Sequence, residues 1–287
     1  MRNTEKLEGG PVNVLAVIPA RYASSRLPGK PLVELCGKPM IQHVWERVRL
    51  ASSLSRVIVA TDDERVCRAI KECGGEVMMT SDDPRCGTDR VAEVAAGAVG
   101  RNMDVFVNVQ GDEPLIEPAA IDAVVKLLQN VPSAQVGTLA VAITDPAQIM
   151  NPHVVKVVCD PEGYALYFSR APIPWVRDEA DESEEEPTYA RHLKHVGLYA
   201  FRRKALLEFP TLPRGDLENL EKLEQLRWLE NGYKVFVEET EHDSFSVDVP
   251  EDVTRAEQLL LEPPEEESHE AGESYEPSDS AHSDENR

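Results

Sequence analysis

The chain lacks the features that would place it in several large classes of protein. No apolar stretch approaches the roughly 18 residues that a membrane-spanning helix needs, and no signal-peptide pattern is present. The five cysteines include no Cys-x-x-Cys pair and no Cys/His cluster with zinc-ligand spacing. We therefore expect a cytoplasmic protein with reduced thiols, and neither a disulfide framework nor a structural zinc site.

Positive charge is also scarce. The chain has 30 Lys and Arg against 52 Asp and Glu, a net charge of -22, which disfavours nucleic-acid or membrane partners. Much of the acidity is local: residues 178–186 and 262–287 carry seven and ten acids with zero and one base. We predict an acidic surface loop at 178–187, a disordered tail at 263–287, a frayed start at 1–11 and one domain over 12–262.

What is present is an alternation of buried strands and amphipathic helices. Continuous apolar strands, beginning with Val12–Ile18, are separated by segments with apolar residues at helical spacing, which predicts an α/β fold with a mostly parallel sheet. Later in the chain, two short strands flank the turn signal Asp160-Pro-Glu-Gly163 and predict an antiparallel hairpin. Residues 217–231 read as one charged helix.

The loop after the first strand concentrates fixed positive charge. Arg21, Arg26 and Lys30 lie within ten residues in an otherwise acidic protein, and cations at the carboxyl end of a buried strand are suited to bind a polyphosphate. The loop is not a Walker A motif, because Pro31 stands where the metal-binding hydroxyl would be, and no Gly-x-Gly-x-x-Gly follows the strand. A solvated basic turn is the alternative.

Two aspartates are candidate magnesium ligands. Asp112 follows the apolar strand of Val107-Asn-Val-Gln-Gly-Asp-Glu-Pro114, and Asp248 lies in Ser246-Val-Asp-Val-Pro250. Mg²⁺ usually takes one or two protein carboxylates together with phosphate oxygens and water. The alternatives are a turn residue for Asp112 and a helix N-cap for Asp248.

A third motif, Cys86-Gly-Thr-Asp-Arg90, opens a helix. Its free N–H groups, at Gly87 and Thr88, could receive a phosphate or the polar edge of a base, although an ordinary capped helix explains the same pattern.

Seven motifs in this order resemble the 3-deoxy-manno-octulosonate cytidylyltransferase family over about residues 12–261. They are Ile18-Pro-Ala-Arg-Tyr-Ala-Ser-Ser-Arg-Leu-Pro-Gly-Lys-Pro-Leu32, Val59-Ala-Thr-Asp-Asp63, Cys86-Gly-Thr-Asp-Arg90, Val107-Asn-Val-Gln-Gly-Asp-Glu-Pro114, Tyr164-Ala-Leu-Tyr-Phe-Ser-Arg-Ala171, Leu220-Glu-Lys-Leu-Glu-Gln-Leu-Arg227 and Val247-Asp-Val-Pro-Glu-Asp252.

The resemblance implies the reaction, the fold and the assembly. CMP passes from CTP to the anomeric hydroxyl of 3-deoxy-D-manno-octulosonate (KDO), giving CMP-KDO and pyrophosphate for lipopolysaccharide synthesis. The implied fold is nucleotide-diphospho-sugar-transferase-like, or Rossmann-like, and the implied assembly is a homodimer joined partly through the hairpin region at about 152–203. No residue in these motifs stands out as a general base, so we assign the activation of the attacking hydroxyl to the metal ion.

The same resemblance assigns roles to individual residues. Catalysis falls to Lys30, Arg21, Arg26 and Asp112, and Mg²⁺ is held by Asp112 and Asp248. Nucleotide binding falls to Arg21, Ser25, Arg26, Lys30, Gly87 and Thr88, and sugar-acid binding to Gln110, Arg170, His195, Tyr199, Glu218 and Glu221.

Four of these residues, Arg170, His195, Glu218 and Glu221, have plainer explanations, and the function has rivals. Arg170 could be a surface arginine at a hairpin end, His195 a core residue, and the glutamates a solvated helix face with ion pairs. A related acceptor such as 8-amino-3,8-dideoxy-manno-octulosonate or a sialic acid is the nearest alternative reaction. A non-catalytic nucleotide-binding regulatory protein is the alternative from another class, and the metal pair together with Lys30 argues against it.

Overall fold

The structure is a computed structural model that describes residues 12–24, 26–177 and 192–261. The predicted frayed start, acidic loop and acidic tail lie outside the described residues, as does Ser25. The strands are β1 Val14–Pro19, β2 Glu34–Leu35, β3 Lys38–Pro39, β4 Arg56–Thr61, β5 Val77–Met79, β6 Val105–Asn108, β7 Val136–Ala142, β8 Lys156–Cys159, β9 Ala165–Ser169, β10 Leu193–Arg202 and β11 Val235–Glu239.

The helices pack on both faces of the central sheet that most of these strands form. They are α1 Met40–Val48, α2 Glu64–Glu72, α3 Gly87–Ala96, α4 Pro118–Asn130, α5 Ala147–Met150, α6 Arg203–Glu208, α7 Asp216–Glu221, α8 Leu226–Glu230 and α9 Pro250–Leu261. None of the described helices is long and apolar enough to cross a membrane.

The central sheet has the order β11-β7-β10-β6-β1-β4-β5. β1 runs parallel to β4 and β6, while β10 enters antiparallel between β6 and β7. The predicted mostly parallel α/β sheet is confirmed. The carboxyl ends of β1 and β6 lie side by side, because these strands are parallel neighbours, and this places the loops after Pro19 and Asn108 together.

Successive side chains of β1 point to opposite faces of the sheet and pack into two separate hydrophobic cores. Val14, Ala16 and Ile18 join the cluster under α1 and α4, whereas Leu15 and Val17 join the cluster under α3 and α6. All five side chains are buried. A strand buried on both faces reads as an unbroken apolar run, which is why its position could be predicted.

The predicted hairpin is also confirmed. β8 and β9 pair antiparallel, and Asp160 closes the turn by accepting the backbone N–H of Tyr164 at 2.8 Å. Gly163 has a φ of 89°, and a Cβ there would meet the Phe236 ring at 2.9 Å, so this turn requires glycine.

The single helix predicted over residues 217–231 is wrong. The segment forms two short helices, α7 and α8, because Lys222 adopts a left-handed conformation with φ of 55° and ends the first of them. The break turns the linker at 223–225 towards α3, and this changes which glutamates can reach the interior.

Candidate active site

The end of the loop after β1 is held by close packing around Gly29. Gly29 has a φ of 69° and precedes a short 3-10 turn at Lys30–Leu32, and a Cβ on Gly29 would meet the Tyr22 hydroxyl at 2.9 Å. The Arg65 guanidinium in turn lies over the Tyr22 ring, with its central carbon 3.4 Å from the ring centroid. The loop therefore presents Lys30 from a rigid support, with its side chain only 13% exposed.

Lys30 joins the two candidate metal ligands. Its Nζ donates to the Asp112 carboxylate and, at 2.9 Å, to Asp248 Oδ1, and Arg26 Nη2 reaches the same Asp248 oxygen at 2.8 Å. The Val247 backbone N–H also donates to the Asp112 carbonyl at 2.9 Å, which ties the two segments together. The predicted convergence of a basic loop and two acids distant in sequence is thus present.

Glycine at position 111 permits this approach. A Cβ there would lie 2.7 Å from the Pro19 carbonyl oxygen, so the loop after β6 could not pack against the end of β1 with any larger residue. This contact is what brings Asp112 to the basic loop.

The electrostatics of the acids separate their roles. Burial alone would raise the pKa of Asp248, but hydrogen bonds and charge from Lys30 and Arg26 hold it below the ordinary value. Burial, and then the charge of Asp112, raise the pKa of the adjacent Glu113 to about 8. In the absence of a cation, this environment favours the protonated form of the Glu113 carboxyl.

The donor set at this point fits Mg²⁺. One ammonium nitrogen touches the carboxylates of both Asp112 and Asp248, so both side chains can reach a single cation. Within residues 12–24, 26–177 and 192–261 there is no group of three or more His, Cys, Asp or Glu that could hold a metal. A cation here would therefore complete its shell with substrate oxygens and water, as Mg²⁺ usually does.

A cavity of about 610 Å³ extends from this cluster. Its lining includes eight of the predicted residues: Arg21, Arg26, Lys30, Gly87, Gln110, Asp112, Glu218 and Asp248. The volume suits a nucleotide together with a small second substrate.

The wall formed by the start of α3 is only partly as predicted. Gly87 lines the cavity, but the Thr88 side chain is buried and donates its hydroxyl to Glu224 Oε1 at 2.6 Å. The same hydroxyl accepts from Asn108 Nδ2 at 3.4 Å. Thr88 therefore supports this wall by its side chain, and its role towards the nucleotide stays a prediction.

The residues predicted to bind the sugar acid do not all face the cavity. Gln110 lines it and donates from Nε2 to the Gly197 carbonyl at 3.1 Å. Arg170 does not line it: its side chain donates to the carbonyls of Glu221 at 2.8 Å and Pro152 at 2.9 Å. The buried Lys156 holds the Arg170 backbone carbonyl at 2.7 Å, which fixes that corner of the hairpin.

Neither His195 nor Tyr199 lines the cavity, and Tyr199 belongs to the core packed under α3 and α6. His195 Nε2 lies 3.0 Å from the Thr138 hydroxyl, and burial lowers the pKa of His195 to about 3. Tyr199 stacks on Phe201 and is 3% exposed. The His195 ring packs between Phe168 and Tyr199, and its role towards the sugar acid stays a prediction.

Glu218 lines the cavity but is already engaged. Arg227, fully buried, donates to both Glu218 carboxylate oxygens at 2.8 and 2.6 Å, and its guanidinium lies over the Phe209 ring. Arg227 also contacts Asp89 at 3.3 Å. This buried network holds α7 and α8 against α3.

Sequence reasoning missed several cavity residues. Arg90, which lines the cavity, is buried and donates to Asp62 Oδ2 at 2.7 Å. Arg85, Arg214 and Glu224 also line it. Arg90 and Asp62 each lie inside a quoted motif, so pairing the charges of those two motifs could have found them.

A sheet whose first strand ends in a rigid basic loop, with two acids brought to its lysine, defines a nucleotidyltransferase. A family model described as cytidylyltransferase matches residues 15–240, and the chain belongs to that family.

Within this family, the chain is similar to enzymes of one kind. It is 52% identical over 250 residues to the 3-deoxy-manno-octulosonate cytidylyltransferase of Solibacter usitatus (strain Ellin6076), covering 87% of this chain and 95% of the relative. It is 51% identical over 247 residues to the protein of that name from Geobacter sulfurreducens (strain ATCC 51573 / DSM 12127 / PCA), covering 85% and 98%. The predicted family and enzyme class are confirmed.

Solved structures agree. A CMP:2-keto-3-deoxy-manno-octonic acid synthetase complexed with CTP superposes with a TM-score of 0.78 at 41% identity, covering 86% of this chain and 98% of that one. A 4-diphosphocytidyl-2C-methyl-D-erythritol synthase from Anaerococcus prevotii DSM 20548 matches at a TM-score of 0.59 and 13% identity, covering 88% and 97%, and shares the fold alone. The predicted fold class is confirmed.

Proposed function

We propose that this protein transfers CMP from CTP to the anomeric hydroxyl of KDO, releasing pyrophosphate and supplying CMP-KDO for lipopolysaccharide synthesis. The observation that carries the proposal is the junction of Lys30, Asp112 and Asp248 in one cavity. The chain is about half identical to enzymes named for this reaction, over nearly their whole length.

The basic loop acts on the triphosphate. Arg21, Arg26 and Lys30 line the cavity and supply donors for the phosphate oxygens, and they would stabilise the negative charge that grows on the departing pyrophosphate. Lys30 would exchange its two aspartates for phosphate oxygens, and the long aliphatic stem of lysine gives its ammonium group the reach to do so.

The acids serve the cation. Asp112 and Asp248 would hold Mg²⁺, which supplies charge neutralisation at the phosphate and lowers the pKa of the attacking hydroxyl. The protein itself contributes position: the two loops fix where the acceptor hydroxyl meets the α-phosphate, and such alignment supplies much of the rate.

The assay that tests the proposal measures pyrophosphate released from CTP with Mg²⁺, with and without KDO. We expect release only when both are present. Equal release without the sugar acid would reject the assignment. The same assay in competition with 8-amino-3,8-dideoxy-manno-octulosonate and N-acetylneuraminate identifies the preferred acceptor, and a protein that binds CTP but turns over none of the three would be the regulatory alternative.

The proposal includes a homodimer in the cytoplasm, formed through the hairpin region at about 152–203. Two apolar side chains in this region support it: Leu166 on β9 is 62% exposed and Trp175 is 78% exposed. Sedimentation of the purified protein should give twice the chain mass of 31.9 kDa. A Trp175→Glu variant should shift towards the monomer, whereas an unchanged dimer would move the interface elsewhere.

A further inference from the structure

The start of α9 carries a valine where a capping side chain usually stands. The helix begins at Pro250, so Val249 occupies the N-cap position and Asp252 the third helical position. Valine has no side-chain oxygen, whereas an N-cap residue normally accepts one of the free N–H groups of the first turn. The backbone N–H groups that lead into this helix therefore need another acceptor.

Asp252 supplies this acceptor by reaching back over the start of the helix. Its Oδ2 accepts the backbone N–H of Asp248 at 2.8 Å and the backbone N–H of Val249 at 3.0 Å. The Asp252 N–H in turn donates to the Val249 carbonyl at 3.0 Å. An acid at the third position that binds the N-cap backbone is one half of a capping box, and here it also holds the residue before the cap.

This arrangement leaves the side chain of Asp248 free of the helix. An aspartate just before a helix can fold its carboxylate over the first turn and accept N–H groups there. Asp248 instead directs Oδ1 into the cavity, 2.9 Å from Lys30 Nζ and 2.8 Å from Arg26 Nη2. Because Asp252 already accepts the N–H groups, the Asp248 carboxylate reaches the same lysine as Asp112.

The backbone of Asp248 is also held from the preceding residue. The Val247 N–H donates to the Asp112 carbonyl at 2.9 Å, and the Val247 side chain is buried in the cluster beneath the basic loop. These are contacts of backbone and core. The half-buried Asp252 is therefore the polar side chain whose replacement tests the placement of Asp248 while these contacts are kept.

We propose that Asp252 is a positioning residue: its carboxylate fixes the Asp248 backbone so that the Asp248 carboxylate can meet a divalent cation together with Asp112. The inference rests on the metal-binding role in the proposed function. Asp252 does not line the cavity, so it acts through Asp248. Removing a group that orients a metal ligand without touching the metal typically weakens metal binding by about 10-fold to 100-fold.

The test compares Asp252→Ala with Glu251→Ala, which removes a carboxylate from the same helical turn but keeps the acceptor of the Asp248 N–H. We measure the Kd of CTP by calorimetry without KDO, in Mg²⁺ and in EDTA, and take the ratio of the two as the contribution of the cation. We expect Asp252→Ala to reduce this ratio about tenfold, while the Kd in EDTA stays within about twofold of the wild type. Glu251→Ala should match the wild type. Asp252→Asn should stay close to it, because the amide oxygen still accepts both N–H groups.

A double variant separates this role from the stability of the helix. Asp252→Ala leaves the start of α9 without its cap, and Val249→Thr supplies an N-cap hydroxyl. We expect Val249→Thr combined with Asp252→Ala to regain the wild-type urea midpoint while the cation ratio stays low. The reason is that threonine caps the first turn but leaves the Asp248 N–H without its acceptor. The double variant also provides folded protein if Asp252→Ala alone does not fold.

Each other outcome overturns the inference. An unchanged cation ratio in Asp252→Ala, or an equal fall in Glu251→Ala, removes the positioning role. A fall in Asp252→Asn as large as that in Asp252→Ala would assign the effect to charge and not to the hydrogen bonds. A double variant that regains both the midpoint and the ratio would mean that Asp252 acts only by stabilising α9. Wild-type protein that binds CTP equally in Mg²⁺ and in EDTA rejects the metal-binding role in the proposed function, and the inference with it.

Discussion

The two ends of the cavity are built differently. At the phosphate end, Arg26, Lys30, Asp112 and Asp248 pair with one another, and their side chains are between 13% and 56% exposed. At the acceptor end, Arg227 and Glu218 form a fully buried ion pair, and Tyr199 and Asn108 lie in the core. Charges near solvent can exchange partners at small cost, whereas buried charges cannot.

This difference separates the residues that would contact the substrates from the residues that maintain the shape of the cavity wall. In the proposed reaction the phosphate end would exchange its internal partners for a substrate and a cation, and ion pairs that are weak in the free protein suit that exchange. In the same proposal the acceptor end would need a fixed outline to distinguish one sugar acid from another, and the buried Arg227–Glu218 ion pair would maintain that outline. The following variants test this contrast.

The largest effect should come from Asp112→Asn. We expect kcat to fall by between about 100-fold and 1000-fold, because a lost electrostatic contact to the transition state typically costs that much. The unfolding free energy should change little, since Asp112 is partly exposed. Steady-state pyrophosphate release measures kcat, and urea unfolding measures the unfolding free energy. Asp145→Asn, on the exposed turn before α5, is the control, and wild-type turnover in Asp112→Asn would remove the metal-binding role.

Arg227→Met should have the largest effect on stability. It leaves the buried Glu218 carboxylate without its partner, and breaking a buried ion pair from one side costs about 3 kcal/mol or more. Urea unfolding followed by circular dichroism should show this loss. Arg68→Met, exposed on α2, should change the unfolding free energy by less than about 0.5 kcal/mol. Similar small losses in both variants would show that the acceptor end is not held by this pair.

His195→Gln should alter the pH dependence of stability. The folded-state pKa of His195, about 3, lies below its ordinary value of 6.5, so between these values the unfolded chain binds the proton and the folded protein does not. Stability contributed by the neutral imidazole is therefore lost as the pH falls below 6.5. Between pH 7 and pH 5 the wild type should lose about 2 kcal/mol more than His195→Gln.

The control for this titration is the exposed His153→Gln, which should follow the wild-type pH curve. If all three proteins lose stability in parallel, His195 is reached by solvent protons in the folded state, and the acceptor end is more open than described.

The smallest effect on stability should come from Arg26→Gln. Its ion pair with Asp248 joins side chains that are 56% and 36% exposed, and such pairs contribute less than about 1 kcal/mol. Urea unfolding of Arg26→Gln and of Arg227→Met, measured under the same conditions, compares the loss of an exposed arginine directly with the loss of a buried one. A loss in Arg26→Gln as large as that in Arg227→Met would contradict the division between the two ends.

The phosphate end could be predicted from sequence because its signals are local. The basic loop follows a continuous apolar strand, Asp112 follows another, and parallel neighbours bring their ends together. The position of Asp248 was harder, because a residue before a helix reads equally well as a cap. Its contact with Lys30 is set by packing of the β1 loop against the segment before α9.

The acceptor end could not be predicted in the same way. The break at Lys222 depends on a left-handed lysine, a conformation that the sequence does not mark with glycine or asparagine. The insertion of β10 between β6 and β7 places Tyr199 opposite Asn108, and this register follows from long-range pairing. A single helix would have kept Glu218 and Glu221 on one solvated face, whereas the fold places Glu218 in a buried ion pair and Glu221 against Ser169.

The segment before α9 bears on where the catalytic domain ends in the chain. The cytidylyltransferase match ends at residue 240, yet Asp248 stands eight positions later. Val247 and Ala256 are buried with Leu27, Leu35 and Met40, which seats α9 beneath the basic loop. A truncation at the boundary of the match would keep the basic loop but remove Asp248, one of the two proposed metal ligands, so we expect the smallest active fragment to extend through α9.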